Sequence, residues 1–170
     1  ELGEFNPQLR AVVAVNPSSD HIPVTRANGI TTSLLYPSGG IIGGQAALMH
    51  LDGWTWEEMA VSQSVALQMR FPAIATSTFN PQFGAGRRPF ADVKRRYDER
   101  SKLLADYMEQ TRAYQKRKAA GGNLFKTDLR MEALLPGLEG QRPLLVFGTK
   151  DGATKEQLGV CVPEGSGVVM

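Results

Sequence analysis

The feature that most constrains the fold is an uncharged run of apolar and β-branched residues, 30–36, which leads directly into a glycine-rich segment. Such a run is typical of a strand buried on both faces. Pro37 cannot donate to a strand ladder, so it ends the strand. Two glycine pairs follow at 39–40 and 43–44, with Ile41 and Ile42 between them. Those two apolar residues indicate that the loop is packed against the protein.

The residues before this strand predict an α/β unit. Ser18, Ser19 or Asp20 is suited to cap a short helix that runs to Ala27. Gly29 then supplies the left-handed residue that ends a helix. A helix, a tight turn and a buried strand form an αβ unit, and α/β proteins place their sites beyond the carboxyl ends of the strands. We therefore expect any site to lie near the glycine-rich loop.

The dipeptide Asp52-Gly53 predicts a β-hairpin with arms at 46–51 and 54–61. Glu57-Glu58 is also compatible with a helical turn, so the second arm has two interpretations. On a strand, Trp54 and Trp56 would share one side, and we expect them to pack in the core or at its rim. The partly alternating segment 65–71 predicts a further strand.

Further elements follow in the second half of the chain. The segment from Pro72 to Pro81 is rich in small polar residues and reads as a loop that continues through 84–86. An apolar stripe at helical spacing predicts a long helix from Arg88 or Pro89 to 119, ended by the glycines at 121–122. A shorter helix is predicted at 123–138 and a short buried strand at 142–147.

Charge is distributed unevenly along the chain. The whole chain carries +2, whereas 87–118 holds eleven basic and five acidic residues, or +6. A basic helix is one signature of nucleic-acid binding. Mixed pairs such as Asp98 and Lys102, four residues apart, instead favour an ordinary solvated helix face. Since the net charge is small, we predict no nucleic-acid partner.

Four stretches together resemble a known enzyme superfamily. They are Asn6-Pro7-x-Leu9-Arg10, Asn16-Pro17, the segment Ile-Pro-Val-x-Arg-Ala-x-Gly-Ile-Thr-Thr at 22–32, and Gly-Gly-x-x-x-Gly-Gln-x-Ala-Leu-x-x-Leu-Asp-Gly-Trp at 39–54. The chain is similar there to the metal-dependent amidohydrolase superfamily, in its imidazolonepropionase-like branch. The resemblance is best over 6–147, and 148–170 has no place in the family pattern.

The resemblance implies a (β/α)8 TIM barrel, which needs roughly 250 residues. With 170 residues and no initiating Met, the chain is expected to be a single internal fragment, 1–170, of such a barrel domain. It would contribute two or three barrel-type strands, an inserted β-hairpin and one long amphipathic helix. The sequence shows no signal peptide and no apolar run of membrane-spanning length, so we expect a soluble fragment. Related proteins are often secreted or periplasmic, but nothing in this segment decides the localisation.

The family hydrolyses amide or cyclic amide C–N bonds with zinc or another divalent metal, held by a His-x-His pair and further ligands. A catalytic zinc needs about three protein ligands. The two histidines of this chain, His21 and His50, form no such pattern, and structural roles are favoured for both. Gly148-Thr149-Lys150 stands where the family has a His-containing turn. We therefore predict no catalytic residue, metal ligand or cofactor in this chain, and no activity of the chain alone.

The glycine-rich loop is the one candidate for substrate contact. Ser38, Gly39, Gly40 and Gln45 offer backbone N–H groups, a hydroxyl and an amide to an amide-type small molecule in the intact enzyme. The alternative is a glycine-rich turn that only packs beneath the hairpin. The glycine spacing lacks the Lys-Ser/Thr of a phosphate loop. Cys161 has no evident base beside it and is read as an inert thiol.

A different class of function also fits the sequence. A few strands cut out of a barrel leave open edges, and open edges pair with other chains. The alternative is thus a non-catalytic remnant or interaction module, self-associating through exposed sheet edges. Neither hypothesis involves a membrane.

Overall fold

The computed structural model describes residues 3–74, 76–80, 84–121, 126–147 and 168–169. A short 3-10 turn, Ala11–Ala14, precedes the main elements. The helices are α1 (His21–Ala27), α2 (Trp56–Met59), α3 (Phe90–Ala120) and α4 (Leu129–Leu138). The strands are β1 (Thr32–Leu35), β2 (Ile42–His50), β3 (Ala60–Arg70), β4 (Ser77–Asn80), β5 (Gly84–Arg87), β6 (Leu144–Phe147) and β7 (Val168–Val169).

The main sheet is mixed, with the strand order β1-β2-β3-β6-β7. Strand β2 is antiparallel to both of its neighbours, whereas β3, β6 and β7 are parallel to one another. It follows that β1, β3, β6 and β7 all run in one direction and only β2 runs against them. The carboxyl ends of these four strands therefore meet at one edge of the sheet, here named the carboxyl edge. The predicted α/β class is confirmed.

The sheet is strongly curled. The ring of Tyr36, directly after β1, lies 4.8 Å from the ring of Phe147 at the end of β6. Two strands separate β1 from β6 in the sheet, so a flat sheet could not bring these rings together. Twisted strands that curl in this way are typical of a sheet on its way to closure. The architecture is consistent with part of a barrel.

Helices α3 and α4 cover the convex face of the sheet. Leu104 and Met108 of α3 and Leu134 of α4 pack against Leu67 of β3 and Leu144 of β6 in the main core cluster. This confirms the apolar stripe and the long helix, which begins after Pro89 and ends before Gly121. The predicted strand at 142–147 is confirmed as β6, which pairs in parallel with β3. None of the described helices is long and apolar enough to cross a membrane.

The first predicted strand is placed correctly, but its predicted burial is wrong. Strand β1 covers only Thr32–Leu35, and its side chains alternate between exposed and half-buried. Within the described chain it lies at the edge of the sheet and pairs with β2 alone. Ile30, expected inside the strand, is 51% exposed. Whether a strand lies at the edge depends on the order of all strands in the sheet. A local run of apolar residues carries no information about that order.

The antiparallel pairing of the predicted hairpin is confirmed, but its second arm is not 54–61: the paired strand is β3, which also contains most of the strand predicted separately at 65–71. Strands β2 and β3 pair antiparallel, but β3 begins only at Ala60. Before it stands the one-turn helix α2, capped by Thr55, whose hydroxyl accepts a hydrogen bond from the Glu58 N–H at 3.2 Å. The expected packing of Trp54 is wrong: its side chain lies in the connection and is 92% exposed, whereas Trp56 is half-buried in α2.

Two further segments differ from prediction. The segment expected to be one loop through 84–86 contains the hairpin β4–β5. The shorter helix begins at Leu129, where Asp128 accepts a hydrogen bond from the Arg130 N–H at 2.8 Å. Residues 123–125 of that prediction lie outside the described chain, as do Gly148-Thr149-Lys150, Cys161 and nearly all of 148–170.

Candidate functional site

The glycine-rich segment lies at the carboxyl edge, as its position after a strand predicted. Residues 36–41 connect β1 to β2, so they lie where β1, β3 and β6 end. Gly39 and Gly40 both have positive φ angles, 122° and 64°. The second glycine pair is no longer loop, because Gly43 and Gly44 already belong to β2. The exposed loop is therefore shorter than predicted.

An N-terminal strap, residues 4–10, covers this segment. The backbone N–H groups of Ile41 and Ile42 both donate to the Glu4 carbonyl, at 2.8 and 3.0 Å. Both isoleucines are completely buried, which confirms that the loop is packed down. A Cβ atom at Gly40 would lie 2.6 Å from the Glu4 carbonyl oxygen. A glycine is thus needed here for two backbones to approach closely.

The strap also contacts the start of β2. The Gln45 N–H donates to the Leu9 carbonyl at 2.7 Å, and the Gln45 side-chain amide donates to the Pro7 carbonyl at 3.2 Å. A Cβ atom at Gly44 would lie 2.6 Å from the Leu9 carbonyl oxygen. The side chain of Gln45 therefore has an intramolecular partner in this structure.

The four predicted substrate-contacting residues thus differ in accessibility. Ser38 and Gly39 are exposed at the carboxyl edge, whereas Gly40 and Gln45 are half-buried under the strap. The structure brings all four onto one short stretch between β1 and β2. Contact of these residues with a substrate stays a prediction.

Gln68 of β3 is the most deeply buried polar side chain near this loop. It is 0% exposed, and its Oε1 accepts a hydrogen bond from the Gly43 N–H at 2.9 Å. Its Nε2 has no hydrogen-bond partner among the described residues. A Cβ atom at Gly43 would lie 2.2 Å from Oε1, so the glycine makes room for this contact. Gln68 therefore fixes the start of β2 to β3.

Three side chains at the same edge were missed by sequence reasoning. Tyr36 and Phe147 form the ring contact across the concave face, and Arg70 ends β3 as an exposed cation in register with Phe147. Strand alternation places Arg70 on the same face as Gln68. The sequence holds one signal for it, a cation at the end of an alternating strand just before Pro72. The curl that gathers these residues has no local signal.

The two histidines do not form a metal site with other described residues. His21 is the first residue of α1, and its carbonyl accepts a hydrogen bond from the Thr25 hydroxyl at 2.7 Å. His50 ends β2, with Nδ1 3.3 Å from the Thr32 hydroxyl. Both are exposed. Among the described residues no three His, Cys, Asp or Glu side chains gather as a metal-binding group, so these residues do not fit a catalytic zinc.

Comparisons with known proteins give one structural likeness. No known protein family matches the chain, and no curated protein matches its sequence. The crystal structure of an amidohydrolase from Thermotoga maritima MSB8 matches with a TM-score of 0.74 and 20% sequence identity. The match covers 97% of this chain and 42% of that chain. This chain therefore has an amidohydrolase-like fold and spans less than half the length of the amidohydrolase that it resembles.

Proposed function

We propose that this chain forms part of a metal-dependent amidohydrolase barrel, and that the intact protein hydrolyses amide or cyclic amide C–N bonds. The observation that carries the proposal is the structural likeness to an amidohydrolase over 97% of the chain. The four strands that run in one direction around a curled sheet support a partial TIM barrel. The motifs at 6–10 and 39–54 favour the imidazolonepropionase-like branch.

Within that protein, this chain supplies wall and orientation for the substrate. Ser38 and Gly39 stand exposed at the carboxyl edge, where barrel enzymes bind substrates. Arg70 adds an exposed guanidinium at the same edge, suited to pair with a carboxylate of an amide substrate. The zinc or other divalent metal of the family would be held by residues outside this chain. The 170-residue chain alone is therefore inactive.

The metal requirement is tested on the purified chain. After zinc loading and dialysis, inductively coupled plasma mass spectrometry should find less than about a tenth of an equivalent, because a catalytic zinc needs about three protein ligands. The same sample should form no N-carbamoylglycine from hydantoin, whose ring would open on hydrolysis, and should release no glycine from N-acetylglycine. A stoichiometric zinc that resists dialysis would show that His21 and His50 meet partners in the chain, and would overturn the proposal.

The proposed substrate contact is tested by titrating N-acetylglycine while following backbone amides by NMR. Shifts should centre on Ser38, Gly39 and Arg70. The affinity for N-acetylglycine should fall about threefold or more in Arg70→Gln, since a charge-assisted hydrogen bond is lost. Arg96→Gln is the matched control, because it removes the same charge from an exposed position on α3. An equal loss of affinity in both variants would mean that the anion is attracted only by the overall positive charge. That result would contradict a site at the carboxyl edge.

A second candidate function is association through the edge of β1. Because Leu51 N–H donates to the Thr31 carbonyl, the ladder alternation points the backbone groups of Thr32 and Leu34 away from β2. The strand carries no charge and no proline, the usual protections of an edge. Size-exclusion chromatography with light scattering tests this. A dimer abolished by Leu34→Lys, but kept in Val24→Lys on α1, would support it, and a monomer at all concentrations would reject it.

A further inference from the structure

A groove lies on the helical side of the protein, apart from the carboxyl edge. It is enclosed by α3, the start of α4, residues 126–128 and Gln8 of the strap. Its volume is about 690 Å³, within the range of roughly 300–1,000 Å³ that is typical of small-molecule sites. Tyr114 and Met131 line its inner part, and the side chain of Leu129 is 72% exposed at its border. The groove thus offers apolar surface to a ligand.

The charged groups around the groove are mainly positive. Arg117, Lys126 and Arg130 line it and are exposed, and none of them has an ion-pair partner within the described part of the chain. Asp128 is the one carboxylate among the described residues that line the groove. Its Oδ1 already accepts the Arg130 N–H and caps α4. The groove therefore presents more positive than negative charge.

Three other cations on α3 lie close to carboxylates. Arg95 lies near Asp92 and Glu99, and the Arg100 guanidinium pairs with Glu4 at 2.8 Å. Next to the groove, Lys118 pairs with Glu132 at 2.6 Å. Arg117, Lys126 and Arg130 have no such carboxylate partner among the described residues. What distinguishes them from other exposed cations of α3, such as Lys94 and Lys102, is that they line the groove.

Buried polar atoms beside the groove also lack partners. Gln8, which lines the groove, has a buried Oε1 with no hydrogen-bond partner among the described residues. The same holds for the hydroxyl of Tyr107, a residue that is 9% exposed. Asp128 and Arg130, both in the lining, act electrostatically on that hydroxyl. Native proteins satisfy nearly all buried polar groups, so the Gln8 Oε1 is available to a hydrogen-bond donor in the groove, whether a water or a ligand.

We propose that this groove binds a small organic anion, with a carboxylate or phosphate group held by Arg117, Lys126 and Arg130 and an apolar body resting on Leu129 and Met131. Guanidinium groups hold planar or tetrahedral anions through paired charge-assisted hydrogen bonds. A polyanion such as nucleic acid fits less well, because Asp128 interrupts the positive surface and three other cations of α3 lie close to carboxylates. The proposal is independent of the hydrolase activity.

The test is an NMR titration of the 170-residue chain with phenyl phosphate at constant ionic strength. Saturable shifts should centre on 113–117 and 126–131. Arg117→Gln/Arg130→Gln should weaken binding by about tenfold or more, since two charge-assisted contacts are lost. Lys94→Gln/Lys102→Gln, which removes the same charge from exposed positions on the same helix, should weaken it by less than about twofold, because distant exposed charges are screened.

Three results would overturn the proposal. They are the absence of saturable shifts, shifts spread along the whole of α3, and equal weakening in the two double variants. A salt-dependent complex with a dT12 oligonucleotide that is tighter than phenyl phosphate binding would assign the cations to nucleic acid instead. If the Arg117 and Arg130 variant does not fold, Lys126→Gln provides the same comparison, because Lys126 is exposed and lies outside the helices. Benzyl alcohol, which lacks the anion, should leave the groove amides unshifted.

Discussion

The backbone N–H of Gly43 donates a 2.9 Å hydrogen bond to the side-chain oxygen of Gln68, which joins β2 to β3 by a side chain where the ladder is irregular. The register shifts between Ile42 and Gly44, so Gly43 is the extra residue of a β-bulge. A buried N–H that leaves the ladder needs another acceptor. The amide of Gln68 supplies it and holds the glycine-rich loop at the carboxyl edge.

Gln68→Leu is therefore expected to destabilise the protein. The substitution replaces the amide by an apolar side chain of similar size and leaves the Gly43 N–H buried without an acceptor, which costs about 1–3 kcal/mol. Loss of the buried Gln68 Nε2, which has no partner among the described residues, offsets part of this cost. Urea denaturation measures the change in the free energy of unfolding. Gln63→Leu, at an exposed position of the same strand, is the control and should stay within about 0.5 kcal/mol of wild type. Equal losses in both variants would mean that the Gly43 contact contributes nothing specific.

The contact between the strap and the loop is tested by Gly40→Ala. Gly40 has a φ of 64°, and an added Cβ would meet the Glu4 carbonyl oxygen at 2.6 Å. Gly121 has a similar φ of 61° but no atom within 4 Å of the same position. Gly121→Ala should cost only backbone strain, about 1–3 kcal/mol, because its φ of 61° and ψ of 146° lie in a region that is nearly restricted to glycine.

Gly40→Ala should cost more than this, because the strap must move as well. Limited proteolysis should then cleave residues 4–10 faster than in Gly121→Ala. If both alanine variants have the same stability and the same cleavage rate, the close approach of Glu4 is not needed to hold the strap.

The elements that the sequence predicts well are those whose signal is local. The apolar stripe of α3 and the run of β6 each lie within one element, and the core formed by Leu104, Leu144 and Leu67 follows from them. The antiparallel pairing of β2 and β3 was predicted from Asp52-Gly53, although their connection runs from 51 to 59 and contains α2. Burial of β1 could not be read in the same way, because an edge strand and a central strand can share one composition. Only the order of the whole sheet distinguishes them.

The candidate site shows the same division between local and non-local features. Ser38 and Gly39 were placed at the carboxyl edge because a glycine-rich loop after a strand has a local signature. Arg70 and Phe147 were missed, since their approach to that loop depends on the curl of the sheet. The Gly43–Gln68 bond depends on a bulge across two strands, and a bulge of this kind leaves no pattern in either strand alone.

Acid should weaken the contact between α3 and α4. Hydrogen bonds from Lys118, and then from Tyr114, lower the pKa of the Glu132 carboxyl from its ordinary value of 4.5. A lowered pKa in the folded state means that the unfolded chain binds the proton more tightly. The stabilisation is thus fully present above about pH 4.5 and is lost as the pH falls through the lowered pKa.

Glu132→Gln should remove this part of the acid sensitivity, so its stability should fall less steeply than that of wild type below about pH 4.5. Glu109→Gln, an exposed site on α3 with the same charge change, is the control and should keep the wild-type slope. Urea denaturation from about pH 2 to about pH 7, which extends below and above the ordinary pKa of 4.5, provides the measurement. Parallel curves for wild type and Glu132→Gln would contradict the coupling.

The last prediction contrasts two tyrosines that face α4 from one side of α3. The Tyr114 hydroxyl donates to Glu132 at 2.7 Å and accepts from the Asp128 N–H at 3.3 Å. The Tyr107 hydroxyl has no partner among the described residues, and burial raises its pKa to about 12. Removing a hydrogen-bonded hydroxyl loses its hydrogen bonds and lowers the free energy of unfolding. Removing a buried hydroxyl without a partner removes its desolvation cost and does not lower that free energy.

Tyr114→Phe is therefore expected to lower the free energy of unfolding, and Tyr107→Phe to leave it unchanged or raise it by up to about 1 kcal/mol. Both variants delete one oxygen atom and keep the ring, so the comparison isolates the hydroxyl. The stacked contact of Tyr107 with Phe5, at 4.2 Å between ring centroids, stays in place. Should Tyr107→Phe lose as much stability as Tyr114→Phe, the Tyr107 hydroxyl must have a buried water or another group as its partner.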